Sequence, residues 1–264
     1  MTPSHPLPLR ACARGLGRPP SLCTVVILIR PGHTWPIALG ANRDEQRDRA
    51  WDPPDAWWPD CPDVVAGRDR SGGGTWLGVN RSGVVAAVLN RPGSLGPAPG
   101  KRTRGELPLI ALDHASANDA VASITNLTAS DWRSFNMVVA DRAGAVFIRG
   151  LVRGRPEAQA LAPGLHLVTA HDPDDPDSPR VARHLDRFRT ARAPDTDQWQ
   201  SWTVILADRA GSAAEQINVA PRAGFGTICS SLIALPATGA PIWLFAAGPP
   251  DVAPFVPVDL ESFL

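Results

Sequence analysis

Cys23 opens an apolar run, Thr24 to Ile29, that turns at Pro31-Gly32 and returns through Trp35 to Ala41, ending in Asn42-Arg43-Asp44-Glu45. Four consecutive polar side chains at the end of an apolar strand are costly unless they are paired or used. With a cysteine at the mouth of the neighbouring strand, they have the makings of a nucleophile facing a fixed polar cluster. A thiol attacks as its thiolate, and an unperturbed pKa of about 8.5 leaves only a few per cent ionised at neutral pH. It needs a base. The six histidines, His5, His33, His114, His166, His171 and His184, carry no Cys/His protease spacing. If Cys23 is the first residue of a mature chain, its own α-amino group, with a pKa of about 7.7 to 8, serves as the base. An acid must then hold the amine, and a donor must meet the oxyanion of the tetrahedral intermediate. Asp44 suits the first role. Asn90, at the end of a later hairpin, suits the second.

The elements that must position these groups are read from patterning. Thr24 to Ile29 and Trp35 to Ala41 form one hairpin, with Asn42 to Glu45 capping its second strand. Trp51 to Asp63, rich in proline and tryptophan, reads as a packed loop in which Trp57 and Trp58, with Trp76, are candidates to line an apolar pocket. Gly72 to Asn80 and Val84 to Asn90 make a second hairpin, and Pro92 to Gly100 is a loop leading to a helical stretch ending at Leu112. Asn118 to Ile124 reads as helical. Asn136 to Asp141 with Ala145 to Arg149 is a third hairpin, and Leu165 to Thr169 a further strand. Ser178-Pro179 starts a helix, with a capping side chain and a proline at the first helical position. Trp202 to Leu206, Thr227 to Leu235 and Ile242 to Ala246 complete the expected strands. Antiparallel hairpins interrupted by two helical blocks indicate a layered α+β domain.

Composition bounds the partners. Lysine plus arginine equals aspartate plus glutamate at 26 each, so no global field draws the chain to nucleic acid or an anionic membrane. No run reaches the roughly 18 to 20 apolar residues that span a bilayer. The expected partner is a small-molecule substrate or apolar ligand; oligomeric state has no signature here. Cys12, Cys23, Cys61 and Cys229 form no CxxC pair and no Cys/His metal spacing, so no metal or cofactor is expected and a reducing cytoplasm is the simpler reading. The Gly72 to Gly74 run lacks the Gly-Lys-Ser/Thr of a phosphate loop and enters a strand. Residues 1–22, proline-rich with Arg10, Arg14 and Arg18 and no acid, read as a disordered extension or, if translation starts at Leu22, as a mis-assigned start. A single domain covers residues 23–264.

Several ordered blocks resemble the NRDE family, which includes the transport and Golgi organisation protein 2 homologues. They are Cys23-Thr24-Val25-Val26, Ala41-Asn42-Arg43-Asp44-Glu45, Ala66-Gly67-Arg68-Asp69, Gly73 to Asn80, Asn90-Arg91 and Arg104-Gly105-Glu106-Leu107. The resemblance implies a four-layer αββα sandwich of the N-terminal nucleophile hydrolase type. It also implies a cysteine amidohydrolase or acyltransferase acting on a small acylated substrate such as a linear amide, with Cys23, Asp44 and Asn90 catalytic. Asn42, Arg43, Glu45, Trp57, Trp58, Trp76 and Asn80 would contact substrate. The alternative is a non-catalytic haem or acyl-lipid carrier, since a link to haem trafficking is implied for some relatives. A more distant likeness joins choloylglycine hydrolases and penicillin V acylases through the Gly78-Val79-Asn80-Arg81-Ser82-Gly83 hairpin. Against those acylases, Ala41 stands in the place of an arginine, with Arg43 nearby, and Thr169-Ala170-His171 stands in the place of a second asparagine.

Overall fold

Side chains alternate across a strand, and the strand β2 (Ile37–Gln46) uses both of its faces. Ile37, Leu39 and Ala41 point into one apolar core, while Ala38 belongs to another. A strand buried on both sides lies between layers, and in this computed structural model, which describes residues 23–195 and 198–261, it lies between a second sheet and a pair of helices. The extension expected at residues 1–22 falls outside the described residues.

The first sheet has the order β10-β1-β2-β11-β12-β13, built from β1 (Thr24–Ile29), β2, β10 (Gly164–Val168), β11 (Phe225–Leu235), β12 (Ile242–Ala246) and β13 (Val256–Pro257). The second runs β3-β4-β5-β6-β7-β8-β9, from β3 (Trp51–Asp55), β4 (Val64–Asp69), β5 (Leu77–Asn80), β6 (Val85–Asn90), β7 (Phe135–Asp141), β8 (Gly144–Gly150) and β9 (Glu157–Ala160). All the pairings are antiparallel. Ile27, Leu39 and Ile233 meet Val79, Val138 and Phe147 between the sheets. The outer face of the second sheet is covered by α1 (Glu106–Leu112) and α2 (Ala117–Thr125) through Leu107, Ala120 and Ile124. That of the first is covered by α3 (Pro179–Thr190) and α4 (Gln200–Leu206) through Val181, Phe188 and Trp202. The layers are therefore αββα, as expected.

Three expectations need correction. Asn42 to Glu45 do not cap β2: the strand continues through Gln46, because β11 runs alongside and pairs residues as far as Phe225 opposite Gln46. Trp202 to Leu206 is helix α4, not a strand, despite its β-branched Thr203-Val204-Ile205. Trp202, Ile205 and Leu206 are buried at helical spacing while Val204 is 58% exposed, so tertiary burial overrides propensity. The loop expected over Trp51 to Asp63 begins as β3, whose Pro53 and Pro54 fit an edge strand.

Two glycines of the family-like blocks are required by close approach. A Cβ on Gly74 would lie 2.3 Å from the Gly105 carbonyl carbon, and one on Gly67 would lie 2.3 Å from the Trp76 ring. The first contact binds the start of α1 to the Gly72 to Gly74 loop through Thr75 N–H donating to Gly105 O at 2.9 Å. Both loops wall the cavity described next.

Candidate functional site

Strand alternation divides the Asn42-Arg43-Asp44-Glu45 motif between two environments. Arg43 and Glu45 face the side of Cys23 and line, with it, a cavity of about 460 Å³ at the edge of the inter-sheet core. Asn42 and Asp44 face the opposite side, under α3 and α4, where Asn42 donates to Leu206 O and Ile217 O, both at 2.9 Å. Asn42 thus satisfies a carbonyl at the end of α4, which has no partner within its helix.

On the cavity side the Arg43 guanidinium lies 3.9 Å from the centroid of the Trp76 ring, a cation–π contact, and 3.4 Å from Asp69. Asp69 also accepts from Arg49 at 2.8 Å and from the N–H groups of Ser71 and Gly72. Arg49 is 3.8 Å from Glu45. Half-buried Cys23 donates its S–H to Asp44 O at 3.6 Å. Burial pushes its thiol up to about 12, the Asp44 and Glu45 charges push the same way, and the hydrogen bond to the Asp44 backbone and, less, neighbouring Arg43 only partly offset them. The thiol is thus protonated at neutral pH. No histidine lines this cavity among the described residues.

On the other face, Asp44 accepts from Arg180 of α3 at 2.9 Å and from Thr227 Oγ1 at 2.6 Å. Arg180 also donates to Thr24 Oγ1 at 2.7 Å. Thr227 reaches Asp44 because β11 shifts register between Thr227 and Cys229, so that Ile228 and Cys229 both turn to the inter-sheet core. Burial raises the Asp44 carboxyl to about 6, with Arg180 and then Thr227 pulling it back. The same burial lowers Arg180, although a guanidinium stays charged at any physiological pH.

Of the residues expected at the site, Cys23, Arg43, Glu45, Trp76 and Asn90 come together around the cavity. The others do not line it. Asn80 borders a separate cavity, where its amide donates to Leu112 O and His114 O at 2.7 Å and its oxygen accepts from Val84 N–H. It braces the end of α1 against its hairpin. Trp57 donates to Pro53 O and lies under Arg68, 4.1 Å from the ring centroid. Trp58 packs on the core beneath α1 and α2. Among the described residues no group of three or more His, Cys, Asp or Glu side chains is placed to hold a metal ion, and no helix is long and apolar enough to cross a membrane.

The family model for Transport and Golgi organisation 2 matches residues 22–240. The chain belongs to that family. A Transport and Golgi organization protein 2 homolog of Bos taurus is 32% identical over 138 residues, 49% of this chain and 49% of that protein. The chain thus spans about half the length of that relative. Among solved structures, the Caenorhabditis elegans ortholog of N-acylethanolamine-hydrolyzing acid amidase superposes with a TM-score of 0.58 and 12% identity, over 91% of this chain and 96% of that one. A variant of the conjugated bile acid hydrolase from Clostridium perfringens gives a TM-score of 0.54 and 11% identity, over 91% and 93%. This member of the Transport and Golgi organisation 2 family therefore has an N-terminal nucleophile hydrolase-like fold.

Sequence reasoning missed the cation on Asp44. That cation is Arg180, 136 residues away in the chain. The available signal was helical: Arg180 shares a buried stripe with Val181, His184 and Phe188, and an arginine on such a stripe needs a buried partner. Arg104 stood in a quoted block without a role. It lines the cavity, and burial followed by the proximity of Arg133 lowers its guanidinium to about 10.

Proposed function

We propose that this protein is a carrier that holds a small acyl ligand in the cavity beside Cys23. The thiol touches the ligand without attacking it. The observation that carries this reading is the setting of Cys23: its S–H is turned to Asp44 O, no histidine stands among the described lining of the cavity to take its proton, and the Asp44 carboxylate is engaged by Arg180 and Thr227 on the far face of the sheet, while burial pushes the thiol up to about 12. A haem iron takes its axial ligand from histidine, thiolate, methionine or tyrosine. The described lining has Cys23 alone of these, and as a neutral thiol, which favours an acyl compound over haem. The free thiols of Cys23, Cys61 and Cys229 suit a reducing cytoplasm. Saturable binding of a fluorescent acyl probe to wild type and equally to Cys23→Ala, with weaker binding to Trp76→Ala, supports the carrier. Cleavage of the probe by wild type, abolished in Cys23→Ala, would overturn it.

A second reading, amide hydrolysis, is favoured by one observation. Cys23 and Asn90 line the same cavity, as a nucleophile and an oxyanion donor would. In a chain starting at Cys23, the α-amine takes the thiol proton, the thiolate attacks the amide carbonyl, and Asn90 donates to the oxyanion; the C–N bond then breaks as the α-ammonium returns its proton to the leaving amine, and water hydrolyses the Cys23 thioester to free acid and thiol. The intact mass of the mature protein tests it. Residues still joined to the Cys23 nitrogen exclude that base.

A further inference from the structure

Six cationic side chains line the Cys23 cavity, against two carboxylates. Arg43 and Arg49 are set against Glu45 and Asp69, and Arg102 pairs with Glu106 at 2.6 Å. Lys101, Arg104 and Arg133 are left over. Among the described residues none of these three has a carboxylate within salt-bridge distance; their partners are neutral. Arg104 donates to Ser94 O, Ser94 Oγ and Ser134 O. Arg133 donates to the carbonyls of Gly93, Leu95, Gly96 and Pro97, and Lys101 to that of Ser130. A carbonyl satisfies a donor without cancelling its charge, so these partners fix the three cations at the cavity wall and leave their charge unneutralised. Burial, followed by the proximity of Arg133, also lowers the basicity of Arg104. Fixed cations of this kind are compensated by an anion, which guanidinium and ammonium groups bind through charge-assisted hydrogen bonds.

We propose that Lys101, Arg104 and Arg133 form a subsite for an anionic group, a carboxylate or a phosphate, on the ligand that occupies the cavity beside Cys23. The proposal rests on the reading of this cavity as a ligand site. It adds a polarity to the ligand: an acyl portion toward Cys23, Trp76 and Val88, and a charged end on the wall formed by the loop that carries Leu95 to Arg104.

Lys101 is the sole lysine of the chain, so reductive methylation with a ¹³C label places a single side-chain probe in the proposed subsite. Inorganic phosphate and hexanoate are titrated separately into the labelled full-length protein. The expected result is a saturable shift of the Lys101 resonance with at least one of them; the one that binds more tightly identifies the group. By calorimetry on unlabelled protein, Arg133→Gln and Lys101→Gln each weaken that anion by about tenfold, the loss of one charge-assisted contact. Arg153→Gln, which removes an exposed charge elsewhere, does not. Because Arg133 also ties down a loop, Lys101→Gln, whose side chain meets one carbonyl, decides the matter if Arg133→Gln fails to fold. No saturable shift with either anion, or equal weakening by Arg153→Gln, would overturn the subsite. Anion binding that persists while acyl-probe binding fails would instead overturn the carrier reading and leave the subsite standing.

Discussion

Replacing Arg180 by methionine removes the cation from Asp44 while keeping most of the side-chain volume. Both side chains are fully buried and 2.9 Å apart. Breaking such a pair from one side costs about 3–5 kcal/mol, because a carboxylate is left behind without its countercharge. The loss depends on pH, and its sign follows from linkage. Burial raises Asp44 from 3.8 to about 6 in the folded state, so between those values the folded protein holds a proton that the unfolded chain releases. Wild-type stability therefore falls as pH rises through that window. Arg180 is the foremost group lowering this carboxyl; without it the folded pKa climbs further and the fall extends above pH 6. At about pH 7.5 the variant carries the full penalty. At about pH 5, where Asp44 is largely protonated in both proteins, it loses the hydrogen bonds to Asp44 and Thr24, about 1–2 kcal/mol. Urea denaturation followed by tryptophan fluorescence at the two pH values reads both numbers. A loss below about 1 kcal/mol at the higher pH, or the same loss at both, would refute the account of Asp44 as a buried anion held by Arg180.

Other expectations bear on the thiol, the loop contact and the displaced asparagine. With its thiol pushed up to about 12, Cys23 should react with iodoacetamide at pH 7 at least about tenfold more slowly than a free thiol, the smaller thiolate fraction outweighing the greater nucleophilicity of a more basic thiolate; peptide mass mapping over time checks this, and labelling at the free-thiol rate would contradict it. Gly74→Ala drives a Cβ to 2.3 Å from the Gly105 carbonyl carbon, and the forced backbone shift should destabilise by about 2 kcal/mol or more, read as a lower Tm with weakened ligand binding. Asn80→Ala strips partners from Leu112 O, His114 O and Val84 N–H and should cost about 2–3 kcal/mol. Because Asn80 is outside the Cys23 cavity, acyl-probe affinity measured on the folded variant should stay unchanged.

The layers were legible in the sequence because apolar runs and Pro-Gly or Gly-containing turns mark hairpins, and Ser178-Pro179 marks a capped helix; Ser178 does accept from Val181 N–H. β9 and β4 were harder: Glu157–Ala160 is an exposed edge without an apolar face, and Val64–Asp69 carries a glycine and two charges. At the site, Cys23 facing Arg43 and Glu45 follows from period-two alternation. That alternation also sends Asn42 and Asp44 to the other face, and only the partners contributed by α3, α4 and β11 show what they do there. Arg180 and Thr227 reach Asp44 across 136 and 183 residues of chain. No local pattern encodes a contact of that span.

A carrier binds its acyl ligand in the Cys23 cavity without cleaving it. Incubating the purified protein with a panel of acyl amides and acyl thioesters, followed by mass spectrometry of bound and free fractions, tests this directly. Ligand should be retained and recovered intact by wild type and Cys23→Ala alike. Release of free acid by wild type, abolished in Cys23→Ala, would contradict it.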